Sequence, residues 1–390
     1  MTSPSWARRV DQIESFKVMD LLQRAKTLEA SGHDVIHMEI GEPDFTTAPS
    51  IVEAGQQALA TGKTQYTPAP GIPALREAIS QHYRQSYGLE IPASRIIVTA
   101  GGSGGLMLLS ALLANPGDSW MMADPAYPCN RQFLRVVGAQ AKMVATKPEE
   151  GFVLTPEQVD KHWTAEVTGL LLASPANPTG YVMSQQELAA ISEVVSAKGG
   201  HFIVDEIYHG LSYGQEAPTA LSVNDQAFVI NSFSKYFGMT GWRLGWIVAP
   251  EWAVEPLERL AQNLFISAPS IAQYAALACF ETETRLVLEE RRAAFAKRRD
   301  FLLPALRELG FNVPFEPQGA FYIYADVSAI TPDSYRFCFD LLEAEGVAIT
   351  PGADFGHASP ERYIRFAYTT SLERLQEAVS RIARFIEAGT

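Results

Sequence analysis

Lys235 closes the tetrapeptide Ser232-Phe233-Ser234-Lys235, and Arg243 follows eight residues later. Two hydroxyls and a guanidinium are the groups that hold a phosphate dianion. A lysine kept beside a phosphate and other cations can have a depressed pKa, which suits Schiff-base chemistry with a carbonyl. Alone on a short loop, the same lysine reads equally as a solvated surface charge. A second phosphate cradle is offered by Gly101-Gly102-Ser103-Gly104-Gly105, where bare backbone amides open a helix. No Lys-Ser/Thr follows it, so it is not a Walker A loop, and Met107 stands where a dinucleotide fingerprint needs its third glycine. By itself the cluster is also an ordinary tight turn. Asp205 ends the apolar run HFIVD. It either caps a turn or holds a proton on a heterocyclic nitrogen, keeping the ring cationic. In the second case Asn177 and Tyr208 are hydrogen-bond donors and Tyr127 is an aromatic face for a planar ring. Taken alone, Asn177 in Asn-Pro is more simply a turn residue.

These residues are far apart in the chain, and the elements between them must bring them together. Strand patterns are expected at 34–40, 95–100, 119–124, 141–146, 169–175, 201–208, 226–233 and 243–250. Helical patterns are expected at 16–31, 50–62, 74–88, from Ser103, at 129–137 and at 185–198, with Gly88 and Gly199-Gly200 as stops. GLLLASP (169–175) is almost wholly apolar, the composition of a strand covered on both faces. Strands separated by helical crossovers predict an α/β fold, with a mostly parallel sheet of the seven-stranded type between helices. In such sheets ligands bind at the carboxyl ends of the strands, where the glycine cluster, Tyr127, Asn177, Asp205 and Lys235 all fall. After Pro250 long helices run to about residue 309. GAFYIYADV, GVAIT and YIRFAY then read as strands and 371–387 as a closing helix, a smaller α+β domain. The expected division is 1–45 as an N-terminal arm and part of the small domain, 46–285 as the large domain, and 286–390 as the small C-terminal domain.

Together the motifs resemble the class I/II aminotransferases, enzymes of fold type I dependent on pyridoxal 5'-phosphate (PLP). The matching segments are IGEPDF (40–45), YTPAPG (66–71), DPAYP (124–128), SPANPTG (174–180), DEIY (205–208), SFSKYFGMTGWRLG (232–245) and YIRFAY (363–368), in family order along nearly the whole chain. The resemblance implies that Lys235 is the catalytic lysine. It would join PLP as a Schiff base and move the proton between the substrate's α-carbon and the cofactor. Asp205 resembles the partner of the pyridine nitrogen, and Asn177 and Tyr208 the residues on the phenolate oxygen. Gly102, Ser103, Gly104, Ser232, Ser234 and Arg243 are similar to the phosphate cup, and Tyr127 to the aromatic cover of the ring. Arg365 resembles the arginine that forks onto the substrate α-carboxylate, assisted by Gly41. Read without the family, it is equally a structural ion-pair residue. Tyr66 is similar to a tyrosine reaching the neighbouring subunit's phosphate, which implies a homodimer with shared sites.

Composition narrows the alternatives. The 390 residues are 47% hydrophobic and 19% charged, a mix that folds around a large core. With 31 basic against 44 acidic side chains, a net charge of −13 repels a phosphate backbone, so nucleic acid is not an expected partner. Cys129, Cys279 and Cys338 form no CxxC pair, and the seven histidines form no HExxH, so no metal is expected. MTSPSWARRV lacks an apolar signal core, and the longest greasy run, Gly105 to Ala114, is too short to span a bilayer. A cytoplasmic enzyme acting on an amino acid and a 2-oxo acid is the expectation. A C–S lyase or decarboxylase of the same fold is the alternative, and a non-enzymatic sensing module lacks its basic DNA-binding domain. Aspartate-type members of the family carry lysine where this chain has Ser103, and Phe16 offers the substrate an apolar surface. Alanine, branched-chain or aromatic donors are therefore expected to outperform aspartate, with Lys17 or a partner's arginine the one route to the opposite result.

Overall fold

The computed structural model describes residues 6–389. The first five residues of the MTSPSWARRV opening, and Thr390, lie outside it. Its strands are β1 (Ile36–His37), β2 (Ile96–Thr99), β3 (Ser119–Asp124), β4 (Gln140–Ala145), β5 (Val167–Ala173), β6 (His201–Asp205), β7 (Phe228–Ser232), β8 (Gly245–Val248), β9 (Tyr322–Asp326), β10 (Val347–Ala348), β11 (Thr350–Pro351) and β12 (Tyr363–Ala367). Seven form one sheet in the order β2-β8-β7-β6-β5-β3-β4. β8 alone runs against its neighbours β2 and β7, and the other pairs are parallel.

Every residue of β7 and β8 is buried, Asn231 and Ser232 at the end of β7 included, as befits strands covered on both faces. One face packs into a core with Tyr83, Leu188, Ile191 and Trp246. The other packs with Leu106, Leu109, Trp120, Leu134 and Leu257. Trp120 fits because its cross-strand partner on β5 is Gly169, where any Cβ would overlap the indole. Gly245 serves the site directly. A Cβ there would lie 2.7 Å from the Asn231 carbonyl and 2.9 Å from the Gly102 nitrogen, so its absence lets the glycine turn approach the sheet.

A second core belongs to the antiparallel sheet β11-β12-β9 and the parallel pair β1-β10. It draws Leu21, Ala25 and Leu28 from helix Lys17–Ala30, and Leu375, Ala378 and Ile382 from the last helix, Leu372–Gly389. Helix Thr282–Glu308 ties the two cores together, with Leu288 in the first and Phe295, Leu302 and Leu306 in the second. Asp124, at the end of β3, accepts hydrogen bonds from the amides of His357 and Ala358, a further link between the two sheets.

Several local expectations change. Of the run 34–40 only Ile36 and His37 pair, because β10 offers only two residues and Met38 already gives its carbonyl to Ala367. GVAIT is broken into β10 and β11, which pair with different partners. The strand 201–208 stops at Asp205, and the helix expected from Ser103 begins at Gly101. Helices Pro156–His162 and Ser334–Glu345 were not anticipated, although Thr155 with Gln158, and Asp333 with Gly346, are legible caps. Among the described residues no helix is long and apolar enough to cross a membrane.

Candidate active site

A cavity of about 340 Å³ opens where the large sheet meets the small one. Ala173, Asp205 and Ser232, the last residues of β5, β6 and β7, line one side, and Tyr322, Thr350 and Arg365 line the other. Of the residues singled out in the sequence, Phe16, Gly41, Gly102, Ser103, Tyr127, Asn177, Asp205, Tyr208, Ser232, Ser234, Lys235, Arg243 and Arg365 line this one space. Gly104 and Tyr66 do not. Gly104 is buried inside helix Gly101–Leu113, and Tyr66 is 80% exposed on its loop.

Lys235 Nζ donates to the Gly41 carbonyl at 2.6 Å. Burial, helped by the Arg365 and Arg243 charges, lowers its pKa to about 8 against the pull of Glu42 and Asp205. At pH 7 about a tenth of it is thus free base, far more than for an ordinary lysine. Asp205 is 4% exposed and accepts from the Ile207 amide at 3.1 Å. Burial pushes its pKa up to about 7, opposed by that amide and by Lys235. Its neighbour Glu206, wholly enclosed, is pushed up to about 8, again chiefly by burial.

The cup beside Lys235 is built from short links. Ser234 N–H donates to Ser232 Oγ at 3.0 Å, and the two hydroxyls meet at 2.9 Å. Arg243 sits at φ 55°, a left-handed backbone that is costly for a non-glycine residue, and donates to the Thr240 carbonyl. Its guanidinium lies where a Cβ on Gly101 would stand, 2.6 Å away, and Gly101 itself has φ 74°. Glycine is required there twice over. The turn also places Gly102 and Ser103, in the first turn of helix Gly101–Leu113, on the cavity lining.

Across the cavity, Arg365 Nη1 donates to Asn177 Oδ1 at 2.9 Å, and Nη2 donates to the Glu39 carbonyl and to Thr350 Oγ1. Its plane lies between the rings of Tyr322, 4.3 Å from the centroid, and Phe355, at 4.8 Å. Nε is buried with no partner. A charged, oriented fork with a spare donor is what a carboxylate needs. Tyr208 and Tyr322 join their hydroxyls at 2.8 Å, and burial holds both phenols above their ordinary pKa. Gly41 has no room for a Cβ, which would fall 2.1 Å from the Tyr322 hydroxyl.

Tyr322 and Asp354 were missed. Tyr322 and Tyr324 share one face of a core strand, and nothing in the sequence tells which of them reaches the cavity. Asp354 is 3% exposed and accepts from the amides of Lys17 at 2.6 Å and Val18 at 2.8 Å. It thereby fastens the start of helix Lys17–Ala30, whose Val18, Met19 and Leu22 line the cavity with Phe16. It lies more than 300 positions away along the chain, beyond any local pattern.

The donor set fits an aromatic phosphate ester with a basic ring nitrogen. It combines a hydroxyl, amide and guanidinium cup, a buried carboxyl poised near neutrality, and a lysine of lowered pKa.

Residues 33–382 match the model for aminotransferases of class I and II. The chain is 37% identical to the (5-formylfuran-3-yl)methyl phosphate transaminase of Methanocaldococcus jannaschii, covering 97% of this chain and 99% of that one. It is 36% identical to the valine–pyruvate aminotransferase of Mycobacterium tuberculosis (96% and 97%) and 35% identical to the aspartate/prephenate aminotransferase of Thermus thermophilus (97% and 98%). The chain belongs to the class I and II aminotransferases. A crystal structure of an aminotransferase from Mycobacterium tuberculosis, 34% identical, superposes with a TM-score of 0.95 over 99% of this chain and 100% of that one. The protein is thus a fold type I transaminase. Its cofactor is PLP, its reaction moves an amino group between an amino acid and a 2-oxo acid, and the lyase or decarboxylase alternative is not favoured.

The buried carboxyl gives the cofactor-free aminotransferase a pH signature. An unfolded Asp205 loses its proton near 3.8, the folded one near 7. Between those values the folded state holds the extra proton, so stability falls as pH rises through the window and levels off above it. Asp205→Asn removes that contribution. Calorimetric melting of cofactor-free protein is expected to show the variant gaining on the wild type from pH 4 to pH 7. A difference that stays constant across this window refutes the assignment.

Proposed function

We propose that Lys235 carries PLP and that the enzyme prefers apolar or aromatic amino donors such as alanine, valine, leucine or phenylalanine. When bound, PLP supplies an electron-withdrawing ring that accommodates the charge left on the substrate's α-carbon. Asp205 keeps a proton at the ring nitrogen, and Asn177 and Tyr208 donate to the ring oxygen. Tyr127 covers the ring face. Gly102, Ser103, Ser232, Ser234 and Arg243 hold the phosphate, and Gly104, buried inside its helix, does not reach it. Arg365 takes the substrate α-carboxylate in its fork, with Gly41 beside it. Lys235 Nζ then removes the proton from the substrate α-carbon and returns it on the other side of the transfer. Borohydride treatment of the isolated enzyme is expected to attach the pyridoxyl group to Lys235 alone, and Lys235→Ala to lose about 10³-fold or more in turnover. Label on Lys142 or Lys198 refutes the role.

One observation carries the donor preference. One wall of the cavity is Phe16, Val18, Met19, Leu22 and Phe355, and among the described residues its lining cations are only Lys235, Arg243 and Arg365. A distal carboxylate seated against that wall would lose water without a counter-charge. The name of the valine–pyruvate relative agrees with this reading, while those of the aspartate/prephenate and aspartate relatives favour aspartate as the second reading. Half-reaction rates with a panel of donors decide. Alanine, valine or phenylalanine is expected to react faster than aspartate, and an aspartate rate about tenfold above all three sinks the proposal.

A homodimer with shared sites is part of the same proposal. It is supported by Tyr66 at 80% exposure and by Leu59, Leu264 and Ile266, each about half exposed in the single chain. In this reading Tyr66 reaches the partner's phosphate cup, the domain division is 1–45, 46–285 and 286–390, and the unpaired Cys129, Cys279 and Cys338 favour a cytoplasmic setting. Mixing Lys235→Ala with Tyr66→Phe subunits is expected to raise activity above that of the two unmixed preparations, through hybrids with one intact site. A monomer fully active at nanomolar concentration ends the idea.

A further inference from the structure

Tyr322 opens β9 and is 1% exposed, and the function proposed above gives it no part. Two features of the site meet on it. Its hydroxyl lies 2.8 Å from that of Tyr208, and among the described residues neither hydroxyl has another hydrogen-bond partner. Its ring faces the Arg365 guanidinium at 4.3 Å. Room for the hydroxyl comes from Gly41, where a Cβ would fall 2.1 Å from it. The two tyrosine rings pack edge to face, 5.7 Å between centroids, so the meeting of their hydroxyls is fixed by buried rings.

A phenol has one proton to give, so in such a pair one hydroxyl donates and the other keeps its proton free. If Tyr208 donates to Tyr322, it has nothing left for an oxygen of the cofactor. If Tyr322 donates, Tyr208 is free to donate onward, and the chained bonds polarise each other. The surroundings favour the second arrangement. Burial raises both phenols, Tyr208 well above its ordinary pKa, while the Arg365 guanidinium pulls Tyr322 back down. Tyr322 is the more acidic of the two and the better donor. Tyr208 also feels Arg365 and Tyr127, and Lys235 Nζ stands 5.8 Å from its ring, but of the two tyrosines only Tyr322 lies against the guanidinium.

We propose that Tyr322 is a positioning residue joining the two ends of the substrate site. Its hydroxyl donates to Tyr208 and so commits Tyr208 to the cofactor's ring oxygen, and its ring carries the state of Arg365 to that bond. A carboxylate seated on Arg365 offsets the field of the guanidinium, which makes Tyr322 a weaker donor. Less charge is then drawn from the ring oxygen, and the nitrogen that Lys235 gives to the Schiff base becomes more basic. The inference rests on the places of Tyr208 and Arg365 in the reading above, and Tyr208→Phe reports on that reading separately.

The test follows the visible absorbance of PLP-loaded enzyme against pH, without turnover. Tyr322→Phe keeps the ring on Arg365 and removes the hydroxyl. Its absorbance midpoint is expected to rise by about half a unit, the size of one modest hydrogen bond. Saturating 4-methylpentanoate, which is leucine without its amino group, is expected to raise the wild-type midpoint, and that of Tyr322→Phe about half as far. By linkage the wild type binds this carboxylate more tightly below its midpoint than above it, and calorimetry is expected to show that ratio contract in the variant. Tyr322→Leu removes the ring as well. It is expected to shift the midpoint alike and, well above both midpoints, to weaken carboxylate binding about fivefold, where Tyr322→Phe stays within about twofold. A Tyr322→Phe midpoint within about 0.2 unit of the wild type, or an undiminished carboxylate-induced shift, overturns the inference. If Tyr322→Phe does not fold, Tyr322→Leu decides by the same midpoint. A Tyr208→Phe midpoint that does not move shows instead that Tyr208 is not at the ring oxygen, and this inference fails with that reading.

Discussion

The structure depends on keeping ionisable groups out of water at one rim of a sheet and still leaving them usable. An uncompensated buried charge costs several kcal/mol, a large share of the ~5–15 kcal/mol by which a folded domain is stable. Lys235, Asp205 and Arg365 all meet this constraint, each by a different means. Lys235 is shifted toward its free base, Asp205 toward its acid form, and Arg365 is held between two aromatic faces with three oxygen acceptors. The first two are poised by burial itself, whereas Arg365 is held by geometry. That difference suits proton movement on one side of the cavity and carboxylate recognition on the other.

The rest of the fold serves those two sides. The large sheet delivers strand ends at one level, and missing side chains at Gly101 and Gly245 let backbone approach guanidinium and strand. The small sheet brings Arg365 on β12 opposite Thr350 on β11, so the arginine and one of its acceptors share a register. Helix Thr282–Glu308 joins the two cores on which those sides are built. Gly41 lies at their junction, under the Tyr322 hydroxyl and within reach of Lys235.

The N-terminal arm closes the third side. Phe16, Val18 and Met19 make the substrate wall apolar, and the buried Asp354 carboxylate holds the helix start that carries them. Because that wall comes from a segment strapped over helix Pro128–Val137 rather than from a sheet, its position depends on a few polar contacts.

The sequence by itself determined the family: Ser232-Phe233-Ser234-Lys235, the glycine cluster, Asp205 and Arg365 are local patterns, and the strand ending at Asp124 and the existence of strands within 201–208 and 226–233 follow from short apolar runs. These were legible because strand burial and turn chemistry act over a few residues. What needed the tertiary structure were the pairings across long separations. Lys235 on Gly41, Asp354 on the amides of Lys17 and Val18, and Tyr322 rather than Tyr324 facing the cavity could not be read from spacing. The antiparallel course of β8 and the splitting of GVAIT between two partners are of the same kind. Periodicity reports which face of an element is apolar. Which groups meet on that face depends on how two cores, formed from distant parts of the chain, pack against each other, and only the tertiary structure decided that.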